Sequence, residues 1–219
     1  MQTWAVSAQP QQRASSRFGI NLCEALAGAT DAIGEPDFAM RALRLVNAAL
    51  VVDFLSVYRV YRDQPPRMFF SGSLTDRDVS EDCFRRYQRG LYRRDKTFVE
   101  AKELAAGGTP TMTLWNEAEI PSPHRDQIYR RHGIHERLSV VAAGESDSML
   151  AINLYRYDVT GAFLAKEVDA AQGIADDLAL SVASVKTYRA RAFDRLGIHF
   201  RNELFALIVM DASRRGGRL

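Results

Sequence analysis

Four segments of this chain carry the apolar patterning of strands, and they come in two pairs. "FLSVYRVYR" (54–62) is followed after "DQPP" by "RMFFSG" (67–72), and "ERLSVVAAG" (136–144) is followed closely by "SMLAINLYRYDV" (148–159). Runs rich in Val, Tyr and Phe, bounded by Pro, Gly and polar residues, are strand signals, and short connections make each pair a hairpin. "TPTMTLWNEAEI" (109–120) is a further candidate strand. Elsewhere the apolar spacing changes to three and four. It predicts helices over "RFGINLCEALAGAT" and "PDFAMRALRLVNAALVV", split by the turn-like "DAIGEP". "SEDCFRRYQRGLYRR" (80–94) is helical, with Phe84, Tyr87 and Leu91 on one side and Ser80 as N-cap, and "HRDQIYRRHGI" (124–134) is a short helix ending at Gly133. Residues 1–16, rich in Pro, Gln and Ser, predict a loose arm. Strand pairs alternating with helices imply an α+β fold, an antiparallel sheet with helices on its faces.

Composition narrows the class. Hydrophobic residues are 47% of the 219 and aromatics 10%, enough for a packed core. No apolar run approaches the ~18 residues of a membrane span. The N-terminus lacks the basic and apolar regions of a leader. Cys23 and Cys83 are too few for a disulfide framework. The expected location is the cytoplasm, away from membranes. Net charge is +2 but unevenly spread: residues 181–219 hold eight Lys/Arg and three Asp/Glu, leaving the rest of the chain mildly acidic. A basic C-terminal segment is the footprint of an anion-binding module.

Catalytic patterns are absent from the sequence: there is no nucleophile elbow, phosphate loop or dinucleotide fingerprint. His132 and His135, with Glu136 beside them, are the nearest approach to a metal set. A structural zinc site takes four ligands, and the intervening Gly133 breaks the helix that would aim both rings at one ion. Asp76 and Asp78 read as turn residues. The expectation is no enzyme, no cofactor and no metal.

The segment "SVASVKTYRARAFDRLG" (181–197) predicts a helix capped by Ser181 and stopped by Gly197. Val185, Tyr188, Ala192 and Leu196 form one stripe, while Lys186, Thr187, Ala190 and Arg191 form another. A shorter helix, "GIADDLAL", precedes it, so the pair reads as a helix-turn-helix. From Gly173 to Val209 the sequence resembles the second half of the LuxR-type DNA-binding domain, through Ile174, Ala175, Leu178, Leu180, Ser181, Val185, Lys186, Leu196, Gly197, Arg201, Glu203 and Leu204. The resemblance implies a dimeric regulator that binds double-stranded DNA. Lys186, Thr187, Ala190 and Arg191 would face the groove, Arg189 and Arg195 the phosphates, and Ser184 is counted with them among the DNA-binding positions. The sequence departs from the family in two places. Phe200 replaces the usual cap of the last helix, and only "GAFLAKEVDAAQ" (161–172) is left to form both the linker and the scaffold helix. Part of the scaffold helix is therefore expected to be missing, and residues 164–178 to run as one helix, or two closely joined, out of the preceding domain.

The N-terminal region resembles the acyl-homoserine-lactone receptors of the same family more faintly, in Tyr87, Tyr92, Asp95 and Trp115. Cys83 stands where a Trp is usual, and Lys96 where a Pro is. The element order also resembles PAS and GAF sensor domains. The expected organisation is a PAS/GAF-like α/β sensor over 1–163 and a small all-α LuxR-type helix-turn-helix over 164–219. Two functions compete. One is a signal-responsive transcriptional regulator acting as a homodimer with a small-molecule signal. The alternative is a truncated sensor or dimerisation module with little or no DNA binding.

Overall fold

Both predicted hairpins form, and one further pairing joins them into a single sheet. The computed structural model describes residues 2–5, 37–48, 50–75, 78–106, 110–144 and 147–172, all within one compact unit, Met1–Asp176. Six strands, β1 (Gln2–Ala5), β2 (Phe54–Tyr61), β3 (Arg67–Ser73), β4 (Thr111–Asn116), β5 (Ile134–Ala143) and β6 (Ser148–Tyr157), lie in the order β1-β4-β5-β6-β2-β3. Every neighbouring pair is antiparallel. The α+β class expected from the sequence is therefore what these residues form. β1 corrects the expectation of a loose arm for residues 2–5: Trp4 stands opposite Met112 on β4.

The helices differ from expectation in extent. α1 (Phe38–Asn47) ends where the Asn47 amide donates to the Val52 carbonyl at 2.9 Å and its oxygen accepts from the Val52 N–H at 3.0 Å. α2 (Ser80–Gln88) stops short of residue 94 because Gly90 takes φ 143°, followed by a tighter turn over Leu91–Arg94. α3 (Val99–Ala105) was not anticipated; it buries only Ala101 and Ala105. Arg125–Arg130 form a π-helical turn, and a last helix, α4, covers 165–172. The rest of the predicted 164–178 helix, and the whole helix-turn-helix beyond it, lie outside the described residues.

Both faces of the sheet are covered, so the strands bury residues of both parities. One face carries Phe54, Tyr58, Trp115, Ile134, Tyr155 and Tyr157 beneath α2 and the π turn. Further along, Val141, Met149 and Ala151 lie beneath α3. The opposite face packs Leu55, Val57, Met112, Leu138 and Leu154 against Leu43 of α1 and Phe163 and Ala171 around α4. Among the described residues no helix is long and apolar enough to cross a membrane.

Three features of the sheet matter below. The pairing of β5 with β6 shifts between Ile134 and Glu136, making His135 an extra residue. Such a bulge re-aims the side chains that follow: Ile134 and Arg137 share one face, and Glu136 points to the other. Next, Thr113, Ser139, Asn153 and Ser56 stand opposite one another across four strands, each fully buried. Finally, Arg156 clasps the chain after β6. It donates from Nε to the Val51 carbonyl at 2.8 Å, from Nη1 to the Ala162 carbonyl at 2.6 Å and from Nη2 to Glu167 at 2.5 Å. Its guanidinium lies over the Phe163 ring at 4.3 Å.

Candidate functional site

The side chains that could meet a ligand gather between the sheet and α2. α2 supplies Cys83 and Tyr87, the π turn and the residue before it supply His124, Ile128 and Tyr129, and the strands supply Phe54, Tyr58, Ile134, Arg137 and Tyr155; Phe98 closes the group. They line a cavity of about 20 Å³, space for about one water. The shell is aromatic. Phe54 and Tyr155 stack 4.4 Å apart, and the His124 ring lies 5.5 Å from both Tyr87 and Tyr129.

Within this shell sits a buried polar group centred on Asp95, whose side chain is 2% exposed. One carboxylate oxygen accepts from the Tyr87 hydroxyl at 2.9 Å, and the other accepts from the Thr97 N–H at 2.8 Å. His124 Nδ1 stands 3.7 Å from that second oxygen, an electrostatic contact longer than a hydrogen bond. Burial alone would raise the Asp95 pKa. The His124 ring, the Arg137 charge and the Thr97 contact outweigh it and hold the carboxyl well below its usual range. Burial pushes the Tyr87 hydroxyl up, and the Asp95 charge pushes it the same way, so it remains a donor.

Arg137 is the second buried charge, 3% exposed. It donates from Nη2 to the Thr97 hydroxyl at 2.7 Å and lies over the Phe98 ring at 4.5 Å. Thr97 therefore links the two charges, its amide bound to Asp95 and its hydroxyl to Arg137. Among the described residues, Arg137 Nε, His124 Nδ1 and Trp115 Nε1 are buried here without a hydrogen-bond partner.

Of the four ligand residues suggested by the sequence, the fold brings Tyr87 and Asp95 into direct contact. Tyr92 stands edge-on to Tyr87 at 6.4 Å. Trp115 belongs to the same apolar cluster and is opposite Arg137 across the β4–β5 pair, although it does not line the cavity. His124 and Arg137 were not singled out from the sequence. The residues weighed as metal ligands diverge. His132 meets Asp82 at 3.0 Å, His135 meets Asp158 at 3.4 Å, and Glu136 accepts from the Phe163 N–H at 2.7 Å. No group of three His, Cys, Asp or Glu among the described residues is placed to hold a metal.

Fold and site together define an α+β domain with a small buried polar cavity. No protein-family model matches the chain, and no curated protein matches it. Solved structures do. The ligand-binding domain of VqsR from Pseudomonas aeruginosa is 16% identical, with 67% of this chain and 85% of that one covered and a TM-score of 0.48. CepR2 from Burkholderia cenocepacia, an N-acylhomoserine-lactone-dependent LuxR-family transcription factor, is 17% identical over 73% and 93%, with a TM-score of 0.48. The phycoerythrobilin-bound GAF domain of a cyanobacterial phytochrome is 14% identical over 80% and 100%, with a TM-score of 0.47. Likenesses of this size fix neither a ligand nor a partner.

These findings correct the expectation that the chain is a LuxR-type helix-turn-helix regulator. No family model matches the chain, so that membership is not upheld. Ser184, Lys186, Thr187, Arg189, Ala190, Arg191 and Arg195, the positions given to DNA, lie outside the described residues.

Proposed function

We propose that this chain is a sensor module that takes a small molecule into the cavity beside Asp95 and Arg137 and binds little or no DNA. One observation carries the reading: a buried polar group inside an aromatic shell whose nitrogens are not all used. An unpaired buried polar group costs about 1–3 kcal/mol. A core built only for stability would fill these positions with apolar side chains, whereas a ligand with matching polar groups offsets the cost. The cavity holds about one water, so a larger guest displaces part of the aromatic shell as it enters. Binding is then coupled to a change in packing, which is what sensing requires.

The test is thermal unfolding of the purified full chain against a library of small amphipathic compounds, alongside DNA titration by fluorescence anisotropy. A true ligand at a hundred times its Kd adds about 2.7 kcal/mol of stability. The reading fails if no compound raises the melting temperature. It fails equally if the chain discriminates a promoter-derived site from random DNA.

A further inference from the structure

We infer that the ligand is an anion, held by its carboxylate on the guanidinium of Arg137; this rests on the sensor reading above. Two buried charges of opposite sign invite the view that each satisfies the other. The two charges act on each other, but no hydrogen bond joins them directly. Asp95 accepts one hydrogen bond on each oxygen, from Tyr87 and from the Thr97 amide. Arg137 meets only a neutral hydroxyl, that of Thr97, and its Nε has no partner. Its guanidinium carbon lies 4.5 Å over the Phe98 ring, and on its edge Nη2 meets Thr97 while Nε remains to be used. A planar fork of N–H donors with one face stacked is the geometry that receives a carboxylate through two parallel bonds.

The surroundings favour the same sign. Trp115 and Tyr155 stand directly opposite Arg137 on the neighbouring strands. The indole brings an unpartnered N–H, and burial keeps the Tyr155 hydroxyl protonated. In the next row of the sheet Asn153 Nδ2 is also unpartnered. None of the lining residues carries a carboxylate, and Asp95 beside them is held by the His124 ring, the Arg137 charge and its own hydrogen bonds. A carboxylate on the guanidinium edge would add the direct, hydrogen-bonded ion pair that Asp95, bound to Tyr87 and Thr97, does not make with Arg137.

The experiment is isothermal titration of the full chain with acid–amide pairs of matched shape: acetate and acetamide, phenylacetate and phenylacetamide, indole-3-acetate and indole-3-acetamide, hexanoate and hexanamide. At least one acid should bind about tenfold or more tightly than its amide, the size of one charge-assisted hydrogen bond. Arg137→Met should abolish that preference, and Arg137→Lys, which keeps the charge and loses the fork, should weaken it. If Arg137→Met does not fold, Arg137→Lys decides: acid affinity falls while amide affinity holds, and equal loss of both overturns the inference. Acids and amides binding alike, or a preference indifferent to both substitutions, also overturns it and leaves the sensor reading standing. If only an unrelated neutral compound binds, the inference alone fails. If nothing binds, both fall together.

Discussion

Replacing Arg156 with Met tests how the chain after β6 is fastened to the sheet. The Arg156 side chain is 4% exposed and that of Glu167 is 12% exposed. Arg156→Met keeps much of the aliphatic packing on Phe163. It strips the donor from the Val51 and Ala162 carbonyls and leaves the Glu167 carboxylate without its cation. Removing one partner of a buried pair costs about 3–5 kcal/mol. Glu167 keeps the Leu164 N–H at 2.8 Å, which places the loss near the lower end of that range. Glu167→Gln, which retains an acceptor for Arg156, should cost about 1–2 kcal/mol. Urea unfolding followed by tryptophan fluorescence measures both. The pH dependence separates the ion pair from the rest. Burial would raise the Glu167 pKa, but Arg156 and the Leu164 amide hold it below its ordinary value. A lowered folded pKa contributes stability above the unfolded value of about 4.3, and that stability is lost as pH falls through the lower folded value. The gap between the native chain and Arg156→Met should therefore be steady from neutral pH down to about 5 and narrow below about 4. A gap under about 1 kcal/mol at pH 7, or one that widens in acid, refutes the reasoning.

Two further substitutions probe the site and the turn before β5. Asp95→Asn removes the charge that Tyr87, Thr97 and His124 surround; it should cost about 2 kcal/mol at neutral pH, and the gap should shrink as pH falls below about 4, read by urea titration at several pH values. Gly133→Ala places a methyl at φ 63° and 3.3 Å from an Asp158 oxygen, and should lower stability by about 1–2 kcal/mol in a thermal melt; an unchanged melting temperature contradicts it.

What the sequence revealed follows the range of each signal. β2, β3, β5 and β6 were legible because strand periodicity is written within each segment. β1 was not: four residues gain their strand character from pairing with β4, more than a hundred positions away. α3 escaped because Ala101 and Ala105, its buried residues, are a faint apolar stripe. Tyr87 and Asp95 were found through a resemblance, and they do meet. Arg137 and His124 were missed because their importance depends on what folds over them. The bulge at His135 adds a second obstacle, since simple alternation would place Arg137 on the face opposite Ile134. The helix-turn-helix likeness shows the opposite failure. It was a dense match over a short stretch, and comparison of the whole chain did not uphold it.

The row formed by Thr113, Ser139, Asn153 and Ser56 also constrains how the hairpin of β5 and β6 can close. Sliding one strand by a single residue would turn its apolar side chains to the wrong face. Sliding by two keeps the faces and would pass any test of hydrophobicity alone. It would, however, set Ser139 against Ala151 or Tyr155, and Asn153 against Val141 or Arg137, in place of the 2.8 Å bond from the Ser139 hydroxyl to the Asn153 oxygen. Either slip sets one of the two polar groups against an aliphatic side chain, and each buried hydroxyl or amide so stranded costs about 1–3 kcal/mol. The row thus adds little to the strength of the correctly aligned sheet. The misaligned ones bear its penalty, so the row separates the true register from one two residues out of step, which hydrophobicity alone does not.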